Sequence, residues 1–262
     1  MIAPKILPHA FWKWNQRWGA PFGRKCRAIQ LLRNTSIGRR VIGPFAFQEN
    51  SDSRRWEFPW AYSKISERGG GRNIVEIGGG MSGLQFVLAR DGHFVTNIDP
   101  GLKARGQGWP VKKKLHERLC RLFNAPVKLI EATIAEAELE AESVDVVLTV
   151  SVLEHLTPAE LEEVTKEVAR ILRPGGALIA TVDLFLDLSP FTGKSRNCWG
   201  SNVDVKRVLD ESQTVLVEGI PSELVGFAEF EPKATLERLS EFYVASAYPC
   251  LCQCLVSERR DT

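Results

Sequence analysis

Short apolar runs recur along the middle of the chain, and they are rich in the β-branched residues that favour strands. These runs cover residues 73–77, 93–99, 127–130, 144–150 and 177–182. Segments of helical character lie between them. Strands that alternate with helices predict an α/β fold, in which an open, mainly parallel sheet carries helices on both faces.

The cysteine-rich segment 248–256 predicts a final strand that is inserted into this sheet. Cys250, Cys252 and Cys254 alternate with period two, so their thiols face the same side of a strand. Free cysteine behaves as a small hydrophobic residue, and we therefore expect this face to be buried. Zinc binding is the alternative, but structural zinc sites usually pair two Cys or Cys/His elements, and the sequence offers no second one.

The composition indicates a folded protein with a substantial core. Of the 262 residues, 44% are hydrophobic and 25% are charged, and the net charge is only +2. These values argue against intrinsic disorder and against a polyanion or polycation. No apolar run approaches the roughly 20 residues that span a bilayer, and the N-terminus lacks a signal-peptide pattern. We therefore expect a cytoplasmic protein without a membrane span.

Charge divides the chain into two parts. Residues 1–48 hold nine Lys/Arg and no Asp or Glu, whereas the rest of the chain holds 25 Lys/Arg against 32 Asp/Glu. The basic part also contains the aromatic residues Phe11, Trp12, Trp14, Trp18 and Phe22. Basic and aromatic residues together can bind nucleic acid, through its phosphates and its bases respectively. The alternative is an extension that packs on the acidic body and shields its own aromatic side chains.

A flexible glycine run at 69–71 separates the predicted domains. Residues 1–70 are interpreted as a basic, aromatic extension that acts as a lid, and residues 71–262 as the main α/β domain. Directly after the first strand comes a turn in which Gly78, Gly80 and Gly83 follow the pattern Gly-x-Gly-x-x-Gly. Such glycines let a ligand approach the backbone closely and let the next helix begin against the strand.

Asp99 lies 21 residues after Gly78, at the end of the second predicted strand. A carboxylate in this position can accept hydrogen bonds from both hydroxyls of a ribose. The turn and Asp99 together predict a cofactor that contains a nucleoside. The glycine pattern alone is weak evidence, because it also occurs in nicotinamide and flavin proteins.

Three further motifs narrow the choice of cofactor. Glu76 precedes the first glycine by two residues, the run 143–148 leads into Ser-Val-Leu-Glu-His at 151–155, and Ile-Leu-Arg-Pro-Gly-Gly occupies 171–176. In this order, the motifs resemble those of the class I S-adenosylmethionine-dependent methyltransferases over roughly residues 70 to 185. The resemblance implies a Rossmann-like, doubly wound sheet of seven strands with the last strand antiparallel, and S-adenosyl-L-methionine as the cofactor.

The resemblance also assigns cofactor contacts. Glu76 and the glycine turn would hold the methionine part, Asp99 the ribose, and the residues beside Asp99 and after the third strand the adenine, while Ser151 would lie near the amino group of the cofactor. The complete set is Glu76, Gly78, Gly79, Gly80, Gly83, Ile98, Asp99, Pro100, Thr133, Ile134 and Ser151.

Glu154 and His155 are expected where the acceptor approaches the methyl group. Some family members bind a divalent metal with a Glu-x-x-Glu-His cluster here, but Ser151 replaces the first Glu in this chain, so we expect no metal. His155 is the candidate general base, since imidazole titrates near neutrality. Alternatively, Glu154 and His155 cap or orient the helix that starts at Thr157.

The acceptor pocket is expected to draw on segments outside the core motifs. Trp60 and Tyr62 before the first strand, and Arg196 and Trp199 after the fifth, are candidates beside Glu154, although aromatic residues of this kind also serve in packing. We thus expect an enzyme that methylates oxygen or nitrogen of a small molecule. The alternative is a protein of this fold that binds or modifies RNA through residues 1–48, but the acidic body disfavours a long polyanion.

Overall fold

The computed structural model describes residues 1–25, 35–103, 110–246 and 248–260. Its central element is a sheet of seven strands. The strand order is β3-β2-β1-β4-β5-β7-β6. The strands are β1 (Asn73–Ile77), β2 (Phe94–Ile98), β3 (Val127–Ile130), β4 (Val144–Val150), β5 (Leu172–Phe185), β6 (Thr214–Glu218) and β7 (Cys250–Arg259). The first five strands, in the spatial order β3-β2-β1-β4-β5, pair in parallel with their neighbours in the sheet. Strand β7 runs antiparallel to both β5 and β6. The predicted fold class is confirmed.

Helices cover both faces of the sheet. They are α1 (His9–Trp18), α2 (Ser36–Ile42), α3 (Arg54–Ser66), α4 (Gly83–Arg90), α5 (Lys113–Phe123), α6 (Pro158–Ile171), α7 (Val205–Glu211) and α8 (Pro232–Glu237). Alternate strand residues enter separate cores: Ile74 packs with α3 to α5, and its neighbour Val75 packs with α6 and α7. In the described ranges, no helix combines the length and the apolar character needed to cross a bilayer.

The parallel register brings the carboxyl ends of β2, β1, β4 and β5 to one edge of the sheet. Ile77 pairs with Ile98 on one side and with Thr149 on the other. Because each following turn begins at this edge, the glycine turn, Asp99 and Ser151 become neighbours although they are distant in sequence. The edge therefore gathers the residues that the motifs single out.

Two strands differ from their sequence predictions. β5 begins at Leu172, so it already includes the Arg-Pro-Gly-Gly segment that was expected to be a turn before the strand. β6 was not predicted, although Thr214–Glu218 is rich in β-branched residues. It is short and lies at the edge of the sheet, where half-exposed positions weaken the apolar pattern.

β7 confirms the predicted final strand and its buried cysteine face. The strand lies between β5 and β6. Cys250, Cys252 and Cys254 are all buried, and the Sγ atoms of Cys252 and Cys254 are 3.6 Å apart. Burial raises the pKa of the Cys252 thiol well above its usual value, so the face behaves as apolar core.

The basic N-terminal segment packs against the body. Trp18 is buried, and Phe11 and Trp14 pack against the same core, while Trp12 is about half exposed at 47%. The first residues join the sheet, since the amide of Ala3 donates to the carbonyl of Cys252 (2.8 Å). Residues 26–34, with two of the basic residues, lie outside the described chain. In the described residues, the extension therefore packs on the body and covers Trp18, Phe11 and Trp14, while Trp12 and Phe22 stay partly exposed.

Candidate cofactor and acceptor site

A cavity of about 940 Å³ opens at the carboxyl edge of the sheet. Its wall includes Glu76, Gly78 and Gly79 from the end of β1 and the turn after it, and Asp99 with its two neighbours after β2. The turns after β3 and β4 and the segment before β1 complete it. The structure therefore brings most of the predicted cofactor residues together around one space.

The glycine turn has a backbone that only glycine adopts readily. Gly78 and Gly80 have φ angles of +67° and +54°. A Cβ atom on Gly78 would lie 2.7 Å from the side chain of Val152, and one on Gly79 would lie 2.7 Å from Oδ1 of Asn97. Gly83, at the start of α4, has a different role. A Cβ atom on it would lie 2.5 Å from the ring of Phe45, so glycine leaves room for this ring. Gly83 positions the N-terminal segment rather than lining the cavity.

Glu76 is a buried carboxyl group at the end of β1. Burial and the neighbouring Asp99 carboxylate raise the pKa of Glu76 to about 8. Among the described residues, neither Oε2 of Glu76 nor Oδ1 of Asn97 finds a hydrogen-bond partner. Buried acceptors of this kind normally have partners. A cationic group with N–H donors would satisfy Glu76.

Asp99 is held by the backbone of two glycines. Its Oδ2 accepts a hydrogen bond from the amide of Gly80, and its Oδ1 accepts one from the amide of Gly101, both at 2.7 Å. Each oxygen keeps a second lone pair, and the residue lines the cavity. This geometry suits two ribose hydroxyls. Ile98 and Pro100 lie beside it on the same wall.

The turn after β3 supplies a wall of mixed character, with Glu131, Thr133 and Glu136 beside Ala132 and Ile134. Thr133 and Ile134 both line the cavity, and Ile134 is buried. The hydroxyl of Thr133 donates to Oε2 of Glu136 (3.1 Å), so its proton is already used within the turn. This turn offers a flat ring van der Waals contact with Ile134, and the carboxyl group of Glu131 on the same wall can accept a hydrogen bond. Together with Glu76 and Asp99, it fits a ligand made of a nucleoside and a charged amino-acid tail.

The N-terminal segment closes the cavity with residues that the sequence analysis missed. Gln48, Asn50, Arg54 and Phe58 all line the wall. Oε1 of Gln48 accepts a hydrogen bond from the amide of Met81 (2.5 Å), which places the side chain directly on the glycine turn. The residues predicted from this segment do not reach the cavity. Trp60 is buried in the core, and the hydroxyl of Tyr62 donates to Asp91 (2.7 Å).

A buried polar cluster lies at the ends of β4 and β5. Its centre is Glu57 of α3, which has no exposed surface and forms a salt bridge with Arg54. Oε1 of Glu57 also accepts hydrogen bonds from the hydroxyls of Ser151 and Thr181, each at 2.6 Å. Burial alone raises the pKa of Glu57, but Arg54 and these hydroxyls hold it below its usual value. Ser151, with a left-handed φ of +45°, thus faces Glu57 while it lines the cavity.

Asp183 and Glu154 complete this cluster. The hydroxyl of Tyr248 donates to Oδ2 of Asp183 (2.6 Å). Glu154 is fully buried, and within the described residues neither of its carboxyl oxygens has a hydrogen-bond partner. Burial and the nearby Asp183 raise the pKa of Glu154 well above its usual value. No set of three or more His, Cys, Asp or Glu side chains in the described part of the chain is arranged to hold a metal ion.

His155 lines the cavity and has a fixed orientation. Its Nδ1 lies 2.5 Å from the carbonyl oxygen of Trp199, and this nitrogen must carry the proton because a carbonyl only accepts. In the neutral ring, Nε2 then keeps its lone pair, as a general base requires. A guanidinium nitrogen of Arg196 donates to the carbonyl of His155 (3.4 Å). Arg196 and Trp199 therefore contact the site through His155.

Of the alternative roles of Glu154 and His155, which were to cap or to orient helix α6, the capping role is wrong. Helix α6 begins with a reciprocal capping box, in which Thr157 accepts from the amide of Glu160 and the Glu160 side chain accepts from the amide of Thr157. This arrangement satisfies the first turn without either residue. Glu154 and His155 are thus available to the cavity and the buried cluster.

Comparisons with known proteins agree with this geometry. A family model described as a methyltransferase domain matches residues 75–180. Over 181 residues the chain is 28% identical to the ubiquinone biosynthesis O-methyltransferase of Escherichia coli O7:K1, a match that covers 63% of this chain and 67% of that protein. These matches confirm the resemblance that the motifs predict.

Solved structures share the fold at low sequence identity. The cyclase SpnF superimposes with a TM-score of 0.57 and 14% identity over 100% of both chains. A geranyl diphosphate C-methyltransferase from Streptomyces coelicolor A3(2), solved with Mg²⁺, geranyl diphosphate and S-adenosyl-L-homocysteine, gives 0.52 and 13% over 78% of this chain and 79% of that chain. At such identities, the likeness establishes the architecture alone.

Replacing Arg54 with Met should lower the free energy of unfolding by about 3 to 5 kcal/mol, because Glu57 would be left buried without its counter-charge. Adding Glu57→Gln should recover most of this loss, since the amide carries no charge. Urea unfolding of the single and double variants measures both effects. Arg55→Met, which removes the exposed neighbouring arginine, is the matched control and should change stability by less than about 1 kcal/mol. Equal losses in Arg54→Met and Arg55→Met would contradict the role of the pair.

Proposed function

We propose that the chain, which resembles the class I S-adenosylmethionine-dependent methyltransferases, transfers a methyl group from this cofactor to an oxygen or nitrogen atom of a small-molecule acceptor. The observation that carries the proposal is the single cavity in which Glu76, the glycine turn and Asp99 meet His155. The relative from Escherichia coli, an O-methyltransferase of ubiquinone biosynthesis by name, supports oxygen as one target atom.

The cofactor would bind along the first two strands. Asp99 accepts hydrogen bonds from the ribose hydroxyls, and Ile98 and Ile134 flank the adenine with apolar surface. Glu76, which lacks a partner for Oε2, receives the ammonium group of the methionine part. The side chains of Gln48 and Phe58 lie on the same cavity and help to exclude water from it.

S-adenosylmethionine supplies a methyl group that is activated by a positively charged sulfur. The acceptor would use a lone pair of its oxygen or nitrogen to form the new bond to the methyl carbon while the bond between that carbon and sulfur breaks and its electron pair passes to sulfur. The proton of the acceptor would pass to Nε2 of His155. The carbonyl of Trp199 keeps the imidazole in the tautomer that can take this proton. Correct alignment of the acceptor contributes the larger part of the rate, as is general for reactions of two bound partners.

Asp99→Ala should weaken the binding of S-adenosylhomocysteine by about 1.5 to 3 kcal/mol, because two hydrogen bonds to a charged group are lost. Titration calorimetry of the wild-type protein and the variant measures this difference. Asp91→Ala is the control, since Asp91 bonds to Tyr62 outside the cavity and should not affect the ligand. Binding of NAD without any binding of S-adenosylmethionine or S-adenosylhomocysteine would refute the proposal.

The affinity for S-adenosylhomocysteine should also rise with pH. With a pKa of about 8, Glu76 holds a proton at neutral pH, and an ammonium group binds better to the ionised form. Raising the pH from about 6 toward the pKa of Glu76 should therefore increase the affinity, and the proton released on binding should be visible in buffers of different ionisation enthalpy. Glu76→Gln should abolish this pH dependence. A Gln variant that keeps the full slope would exclude Glu76 as its source.

His155→Ala should lower turnover by roughly 10² to 10⁴ while cofactor affinity stays nearly unchanged, as expected for the loss of a general base. The assay follows S-adenosylhomocysteine formed with an acceptor that the wild-type protein methylates. His9→Ala, at an exposed histidine on α1, is the control. We also expect activity to survive EDTA, since Ser151 replaces the carboxylate of the metal-binding pattern. Full turnover in His155→Ala would reduce His155 to a structural role.

A further inference from the structure

The polar cluster behind the cavity has more acceptors than donors. Glu57, Glu154 and Asp183 are each at most 1% exposed, and Arg54 is the cation that the structure places among them. Ser151 and Arg54 belong both to this cluster and to the cavity wall. The cluster therefore borders the space in which the acceptor must bind.

The hydrogen bonds of the cluster leave one carboxyl group out. Arg54, Ser151 and Thr181 all donate to Glu57. Tyr248 donates to Asp183, and the hydroxyl of Ser151 lies 3.2 Å from its other oxygen. Each of these hydroxyls has a single proton to give. None of these hydrogen bonds reaches Glu154, whose two oxygens have no partner among the described residues.

An unpartnered buried carboxyl group indicates that a donor comes from outside the chain. A divalent metal ion fits poorly, because no three His, Cys, Asp or Glu side chains in the described part of the chain are arranged to hold one. A neutral hydroxyl would give one hydrogen bond, but it carries no positive charge to offset the excess of carboxyl groups over cations in the cluster. A protonated amine supplies both a positive charge and several N–H donors.

We propose that the cluster of Glu57, Glu154 and Asp183 recognises a basic amino group on the acceptor, so that the substrates of this enzyme are small molecules that carry an amine. The inference rests on the proposed methyltransferase function and adds the class of substrate. The amine acts as an anchor, whichever atom receives the methyl group. Because Glu154 is enclosed, binding requires a shift of its side chain or of Arg54.

Burial and the neighbouring carboxyl groups raise the pKa values of both Glu154 and Asp183, so their negative charges are disfavoured where they lie and a nearby cation would lower both pKa values. The charged groups that face Glu154 are Asp183, Glu57 and Arg54. His155 also acts on Asp183 through its charge. An ammonium group next to Glu154 would offset the repulsion among the carboxylates, as Arg54 does for Glu57.

The test compares matched pairs of ligands on the full-length protein saturated with S-adenosylhomocysteine. Benzylamine and benzyl alcohol, and propylamine and propanol, differ only in the group that would meet Glu154. We expect each amine to bind at least about tenfold more tightly than its alcohol, since a hydrogen bond to a charged group gives roughly this factor. Calorimetry or ligand-observed NMR provides the affinities.

Two variants locate the effect. Glu154→Gln keeps the volume of the side chain but removes its charge, and it should weaken amine binding about tenfold or more without changing the affinity for S-adenosylhomocysteine. Glu223→Gln is the matched control, because Glu223 is also buried but accepts from the amide of Ile2, outside the cluster. Thermal unfolding checks that both variants are folded. If Glu154→Gln does not fold, the preference of the wild-type protein for amines over alcohols still tests the proposal.

The outcomes separate this inference from the proposed function. If S-adenosylhomocysteine does not bind, the methyltransferase proposal fails. If it binds but amines and alcohols bind equally, or no amine binds, the amine inference alone is overturned. Unchanged amine binding in Glu154→Gln also overturns it, as does Mg²⁺ binding that depends on Glu154, which would make the cluster a metal site.

Discussion

The buried salt bridge between Arg54 and Glu57 is the interaction on which the rest of the site depends. A carboxylate without any exposed surface is stable only if a counter-charge and hydrogen bonds replace its water, and Glu57 receives both. Since its donors come from the ends of β4 and β5, the pair fixes helix α3 against the sheet in one register. This position brings Gln48 and Phe58 to the cavity, so the N-terminal segment becomes part of the site.

The cofactor half of the site could be predicted from the sequence, because local rules determine it. A glycine turn after a buried strand and an acid at the end of the next strand meet wherever two parallel strands are neighbours. Glu76, Gly78 and Asp99 consequently line one cavity, as their spacing predicts. The same holds for α6, since the Thr157 capping box is encoded within four residues.

The part of the site that the N-terminal segment supplies could not be predicted, because the sequence of helix α3 has no distinct apolar and polar faces. Trp56, Glu57, Phe58, Pro59 and Trp60 are all buried, so apolar periodicity cannot tell which side of the helix meets the cavity. Aromatic character favoured Trp60 and Tyr62, whereas tertiary packing directs Arg54 and Phe58 to the site. The one available signal in the sequence is Glu57, a single acidic residue within an apolar run. A buried carboxylate must pair with a cation, so its position points to a charged partner nearby.

The fold alone does not select the reaction, and the loop after β5 shows how this chain adds chemistry to it. Oδ1 of Asn197 accepts hydrogen bonds from the amides of Trp199 and Gly200, which turns the Trp199 carbonyl toward His155. A Cβ atom on Gly200 would lie only 2.0 Å from the carbonyl oxygen of Glu154, so glycine is needed for this contact. The loop therefore sets the tautomer of His155 and holds the backbone of Glu154 through the same few atoms. The proposed base and the proposed amine anchor are thus positioned together by a loop that lies outside the motifs on which the family resemblance rests.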